Sequence, residues 1–161
     1  MDALEIKKQY GSLSVKDFRK KVTDLETALF KSNENAIVKE KQELDTLCPL
    51  THSFSEGIYV REMFLPKNTI AIGKIHNKDH TWFLIKGSLL VATEEGVKQI
   101  KAPVYFNSKA GCKRLALSLE DSVFINIHPN PNNITDVDEL EKELVCSNYE
   151  QYEKYKQIKN K

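Results

Sequence analysis

Gly73-Lys-Ile-His76-Asn-Lys-Asp-His80-Thr-Trp82-Phe-Leu-Ile-Lys-Gly87 decides how the rest of the chain is read. Two apolar-rich runs of strand length flank a short polar break at Asn77-Lys-Asp79, and the second run stops at a lysine–glycine turn. His76 and His80 stand on either side of that break. A hairpin there sets both imidazoles at the same end of a sheet. A third histidine, His128, ends another such run, Val123-Phe-Ile-Asn-Ile-His128, just before Pro129. Histidines brought together from the ends of separate strands are what a metal or polar-ligand site in a small barrel requires.

Outward from this stretch the same rhythm continues. Strands are expected at 58–64, 69–76, 80–85, 88–93, 97–100, 104–106, 113–118 and 122–128, separated by Pro66-Lys-Asn68, Lys86-Gly87, Glu94-Glu-Gly96, Ala102-Pro103 and Lys109-Ala-Gly111. Turn signals this regular, with no helix-length segment among them, point to an antiparallel sandwich or barrel. A parallel sheet would need crossover helices that the segment lacks.

The flanks read differently. Ser14 precedes Asp17 by three residues, a capping signal, and Val15, Phe18, Val22, Leu25 and Leu29 then form one apolar helical stripe. A weaker helical piece is expected at 36–44. Such a stripe packs either on the chain's own barrel or on a second copy. Pro129-Asn-Pro-Asn-Asn133 marks a boundary, after which Thr135 or Asp136 caps a helix bearing Val137, Leu140 and Leu144. The expected organisation is a helical extension at 1–46, a barrel at 47–130, and a helix with tail at 131–161.

Composition narrows the classes. Of 161 residues, 24 are basic and 23 acidic, so bulk attraction to nucleic acid or an anionic membrane is not expected. The three cysteines show no Cys-x-x-Cys spacing, and no apolar run approaches membrane length. A reducing cytoplasm is the expected setting.

Several residues carry candidate chemistry. His80, Trp82 and Leu84 share one strand face, as do His128, Asn126 and Phe124; Ile70, Ile72, Lys74 and His76 would share another. Three imidazoles suit a divalent transition metal such as zinc, iron, nickel, manganese or copper. Arg61 and Glu62 point to opposite faces, so one of them enters the barrel. Arg61, with Tyr59 and Met63, would offer a fork for phosphate or carboxylate. Glu62, with Val60 and Phe64, would offer a ligand or general base. Arg114, on the face of Ala116 and Ser118, and Lys74 would add positive charge, while Tyr59, Trp82 and Tyr105 would stack on a ring and Asn126 would hydrogen-bond a ligand. Cys112 beside Lys113 is a weak nucleophile candidate.

The layout resembles the cupin superfamily, whose first motif runs glycine, His-x-His, glutamate, glycine. Anchored on Gly87, the glutamate position falls at His80, the histidine pair at Lys74 and His76, and the opening glycine at Asn68. The second motif, Pro-x-Gly-x-x-His, is similar to Lys109-Ala-Gly111-Cys-Lys-Arg114, with Arg114 in the histidine's place. Residues 48–145 more closely resemble small cupin-like proteins of bacteriophages and prophages, through Cys48-Pro-Leu-Thr-His52, Gly57-Ile-Tyr-Val-Arg61-Glu62, Ala102-Pro-Val-Tyr-Phe106 and Ile127-His128-Pro129. The resemblance implies a cupin-like jelly-roll barrel with helical ends, and self-association into a homo-oligomer. The altered motif does not transfer a mechanism. The reading favoured by these residues is a barrel whose histidine-lined mouth binds a small anionic, nucleotide-like molecule and sequesters or modifies it. The alternatives are a metal-dependent hydrolase using His76, His80 and His128 with Glu62 and Arg114 as catalytic groups, and a virion or assembly scaffold.

Overall fold

The computed structural model describes residues 1–32 and 48–159. The helical piece expected at 36–44 lies outside them. The strands are β1 (Leu50–Ser55), β2 (Gly57–Leu65), β3 (Ile70–Ile72), β4 (Ile75–His76), β5 (His80–Lys86), β6 (Ser88–Thr93), β7 (Gly96–Lys101), β8 (Val104–Ser108), β9 (Leu115–Ser118), β10 (Ser122–Asn130) and β11 (Val145–Cys146). Four helices accompany them: α1 (Ala3–Tyr10), α2 (Val15–Ser32), α3 (Val137–Leu144) and α4 (Tyr149–Lys159).

One sheet has the order β1-β2-β10-β5-β8 and the other β3-β9-β6-β7, all pairs antiparallel. The chain passes between these sheets after β2, from β3 by way of β4 to β5, and again after β5, β7, β8 and β9. That interleaving of two Greek keys is a jelly roll, as expected. Two turns enforce it. Gly87 has φ of 86° and Asn68 has φ of 65°, a conformation those residue types tolerate. A Cβ on Gly87 would lie 2.6 Å from the Asp121 carbonyl oxygen, so the β5–β6 turn also needs the missing side chain.

Alternation along the strands makes two cores. Inside the barrel, Leu65, Trp82, Leu84, Leu89 and Val91 pack with Met63, Ala71, Phe106, Ala116 and Phe124. On the outer face of the four-stranded sheet, Leu90, Ala92, Leu115 and Leu117 meet Ile6 and Tyr10 of α1 and Phe18 and Val22 of α2. Phe18, Val22 and Leu25 of the helix stripe are therefore covered by the chain's own sheet. Val15, placed on that stripe by its spacing, is 47% exposed at the helix start. Asp17 N donates to Ser14 Oγ at 3.2 Å, so the capping signal is used. Within the expected helical extension, α1 carries its own capping box from Asp2 and Glu5.

The sheet–helix seam holds an ion pair. Lys113 is 1% exposed, and its Nζ lies 2.7 Å from Glu26 Oε2 on α2. Neutralising one partner strands the other charge away from water. Glu26→Ala is expected to lower stability by roughly 3 kcal/mol in urea titrations, whereas the double change with Lys113→Met recovers most of it. Equal losses from the single and double variants would show that Lys113 is solvated.

The segment after residue 130 returns to the barrel. Its β11 pairs with β4, Val145 opposite His76 and Cys146 opposite Ile75. Leu140 and Leu144 of α3 pack on Tyr59 of β2. Asp136 Oδ1 accepts from Glu139 N at 2.9 Å, the expected cap.

Candidate metal centre

The histidines meet because one strand breaks. The sequence reads residues 69–76 as a single strand, in which His76 would share the face of Ile70 and Ile72. Those two pack toward α1 and α2, whereas Ala71 faces the barrel. Gly73 and Lys74 interrupt the strand, and Gly73 N is tied to the Arg114 carbonyl at 2.9 Å. Strand β4 resumes with its alternation reversed. Ile75 packs with Cys146 and Tyr152, and His76 turns inward.

On β10 the inward residues are Ser122, Phe124, Asn126 and His128, opposite Leu65, Met63, Arg61 and Tyr59 of β2. On β5 they are His80, Trp82 and Leu84, with Trp82 also opposite Asn126. The three imidazoles consequently stack in one cluster. Ring centroids are 3.9 Å apart for His76–His80, 4.9 Å for His80–His128 and 5.1 Å for His76–His128. One nitrogen from each ring lies within 4.8 Å of the others. His80 and His128 are buried, and His76 Nδ1 is buried without a hydrogen-bond partner.

Electrostatics keep these rings neutral. Burial, then the neighbouring histidines and arginines, hold His76 well below the ordinary imidazole value. Burial and then Arg114 lower His80 to about 4, and burial followed by His80, Arg61 and Arg114 lowers His128 to about 3. Neutral rings present lone pairs, the form a metal takes. The donors suit a divalent transition ion in number and chemistry, three neutral imidazoles with His76 Nδ1 left unsatisfied, and the stacked rings would have to turn for all three nitrogens to reach bond lengths of about 2.0–2.1 Å. Open positions would remain for a ligand.

Low pKa values also set an acid limit. Unfolded histidine takes up its proton near pH 6.5, but the folded His80 and His128 do so only near 4 and 3. The unfolded chain binds more protons throughout that window, so stability falls as pH drops from about 6.5 to about 4 and is unaffected by these groups above pH 7. His80 alone accounts for about 3 kcal/mol. Thermal melts of metal-free protein from pH 7.5 to 4 measure this; a flat Tm would show that the rings are not desolvated.

Arg114, immediately before β9, reaches into the same space. Its Nη2 donates to Ser108 Oγ and lies 3.4 Å from His80 Nε2, and its Cζ stands 5.1 Å from the Trp82 ring centroid. His80 Nδ1 faces the Lys78 carbonyl at 3.4 Å, which favours the tautomer with Nε2 as acceptor. Burial depresses the Arg114 pKa. Among the described residues no carboxylate pairs with this guanidinium.

The remaining candidates separate. Tyr59, Arg61, Trp82 and Asn126 line the interior beside the histidines, and Asn126 Oδ1 is buried without a partner. Lys74 is half-exposed and pairs with Glu141 of α3. Tyr105 is 63% exposed on the outer face of β8. Glu62 is corrected: alternation with inward Tyr59, Arg61 and Met63 sends it outward, opposite Ile125 and Thr51, so it offers the histidines neither a ligand nor a base. Burial raises the Cys112 thiol pKa, which removes the basis for a nucleophile.

Three contributors escaped sequence reasoning. His52 Nδ1 is 2.7 Å from the Tyr59 hydroxyl, and Tyr59 in turn stacks on His128 at 5.9 Å. The alternation Leu50-Thr-His52-Ser-Phe54 ahead of Gly57 was the available signal for a hairpin placing His52 inward. Ser108 supports Arg114, and Glu141 arrives from α3; neither has a legible local signal.

No family model matches this chain, and no curated protein does. Solved structures similar to it include KdgF from a Halomonas species, at 13% identity and a TM-score of 0.46, covering 55% of this chain and 84% of that one. An RmlC-like cupin from Shewanella frigidimarina shows 11% identity and a TM-score of 0.45, covering 54% and 77%. A cupin domain from Bordetella pertussis shows 22% identity and a TM-score of 0.42, covering 52% and 93%. The jelly-roll assignment itself rests on strand order.

Proposed function

We propose that the barrel binds a small anionic molecule between Arg114 and a divalent metal held by His76, His80 and His128. The observation that carries this reading is the largely buried Arg114 guanidinium, which has no carboxylate partner among the described residues and stands against His80. A buried cation costs several kcal/mol of desolvation unless something anionic meets it. The fork geometry of guanidinium suits carboxylate and phosphate. Asn126 Oδ1, also unsatisfied, would accept a hydrogen from the ligand, and Trp82 would line its side. The metal, when bound, would supply Lewis-acid polarisation of the ligand.

Hydrolysis is the weaker reading, because the expected base, Glu62, faces away from the cluster. The resemblance of residues 48–145 to phage and prophage barrels supports sequestration or modification of a host metabolite as the setting.

Elemental analysis of purified protein, followed by calorimetry with inorganic phosphate and with butyrate, tests the reading. One transition metal per chain and saturable anion binding that depends on Arg114 are expected. Absence of both anion binding and metal uptake would refute it.

A further inference from the structure

Two guanidiniums flank the histidine cluster, and they are treated differently. Arg114 meets no carboxylate among the described residues. Arg61, entering from β2 opposite Asn126, has its Nη1 3.2 Å from Glu141 Oε1. Lys74 Nζ, from the segment between β3 and β4, lies 2.7 Å from the other oxygen, Glu141 Oε2. One carboxylate thus bridges two cations, one from β2 and one from the break between β3 and β4.

Glu141 reaches them from α3, which lies between β2 and β4. Leu140 and Leu144 rest on Tyr59, and Asn77 holds the helix end through its N to the Leu144 carbonyl at 2.8 Å and its Nδ2 to the Glu143 carbonyl at 3.1 Å. The Arg61 and Glu141 side chains are 22% and 24% exposed and Lys74 is 50% exposed, so both ion pairs remain open to water and to competing ions. Asn126, opposite Arg61 of β2 on one side and Trp82 of β5 on the other, is 7% exposed with its Oδ1 unpaired, and Arg114 stands over the same Trp82. A charged pair beside an unsatisfied buried acceptor is an arrangement that a ligand completes.

Resting on the anion-binding reading of Arg114, we propose that Arg61 and Lys74 form a second anion subsite, occupied by the Glu141 carboxylate until a ligand with two anionic groups displaces it. One anionic group goes to Arg114, the other to Arg61 and Lys74, and a hydroxyl or N–H between them donates to Asn126. Carboxylate and phosphate share this chemistry.

Calorimetry on the full, as-purified chain distinguishes the cases, with glutarate set against butyrate and 3-phosphoglycerate against glycerol 3-phosphate. The second anionic group is expected to tighten binding about tenfold in at least one pair, and that pair identifies the chemistry. Glu141→Gln, which keeps the shape of the side chain, should widen the gain by about another tenfold. Arg61→Gln should abolish the gain. The proposal is overturned if ligands with two anionic groups bind no better than their single-group partners in both wild type and Glu141→Gln while the single-group ligands still depend on Arg114. If Arg114→Met leaves even single-group binding unchanged, the underlying reading fails and this one falls with it.

Discussion

Replacing His128 with alanine is expected to cost the chain its metal. His128 sits on β10 with its ring 4.9 Å from His80 and 5.1 Å from His76, so its removal leaves two donors, on β4 and β5, and no third. Loss of a partner one shell beyond a metal costs about 10–100-fold in affinity, and loss of a direct ligand should exceed that, to more than about 100-fold. The fold should survive, because His128 contributes stacking with Tyr59 rather than core apolar packing. Competition of zinc or nickel against a chromophoric chelator reads the affinity directly, alongside a thermal melt of the metal-free variant. Undiminished metal content with His128→Ala would show that the ion, if present, sits elsewhere.

The second large effect concerns Arg114→Met. A side chain that only braced the barrel would lower stability when truncated. A buried cation waiting for an anion should behave in the opposite sense, because its desolvation is relieved by an apolar replacement of similar length. Metal-free Arg114→Met is expected to melt at the same or a higher temperature than wild type, yet to bind anions about 100-fold more weakly. Metal and anion should also help one another. The guanidinium 3.4 Å from His80 Nε2 opposes a dication there until an anion lies between them. Phosphate should therefore strengthen metal affinity in wild type, by linkage to the same factor that metal strengthens phosphate, and the coupling should vanish in Arg114→Met. A clear loss of stability in that variant, without loss of anion binding, would make Arg114 a structural residue.

Much of the barrel was legible because alternation and turns repeat along it. The strands from Ser88 to Thr93 and from Ser122 onward match the expected runs closely, and the Asn68 and Gly87 turns take the backbone their residue types allow. What escaped was phase. Along β2 both faces carry apolar residues, Tyr59 and Met63 on one, Val60 and Phe64 on the other, so nothing local decides whether Arg61 or Glu62 enters. The register opposite Phe124, Asn126 and His128 decides it, and that is a property of the sheet. His76 shows the same limit: its inward aim depends on a two-residue interruption that period-two counting passes over. Strand β11 is two residues long, too short for any pattern, and Glu141 is placed by the helix that precedes it.

The pairing of β11 with β4 ties the C-terminal segment to the site. His76, His80, Arg114 and His128 all precede residue 131, whereas Glu141 and Val145 follow it. Chains halted near residue 130 would hold every proposed metal donor but lack the carboxylate that occupies Arg61 and Lys74, an ungated form of the same vessel.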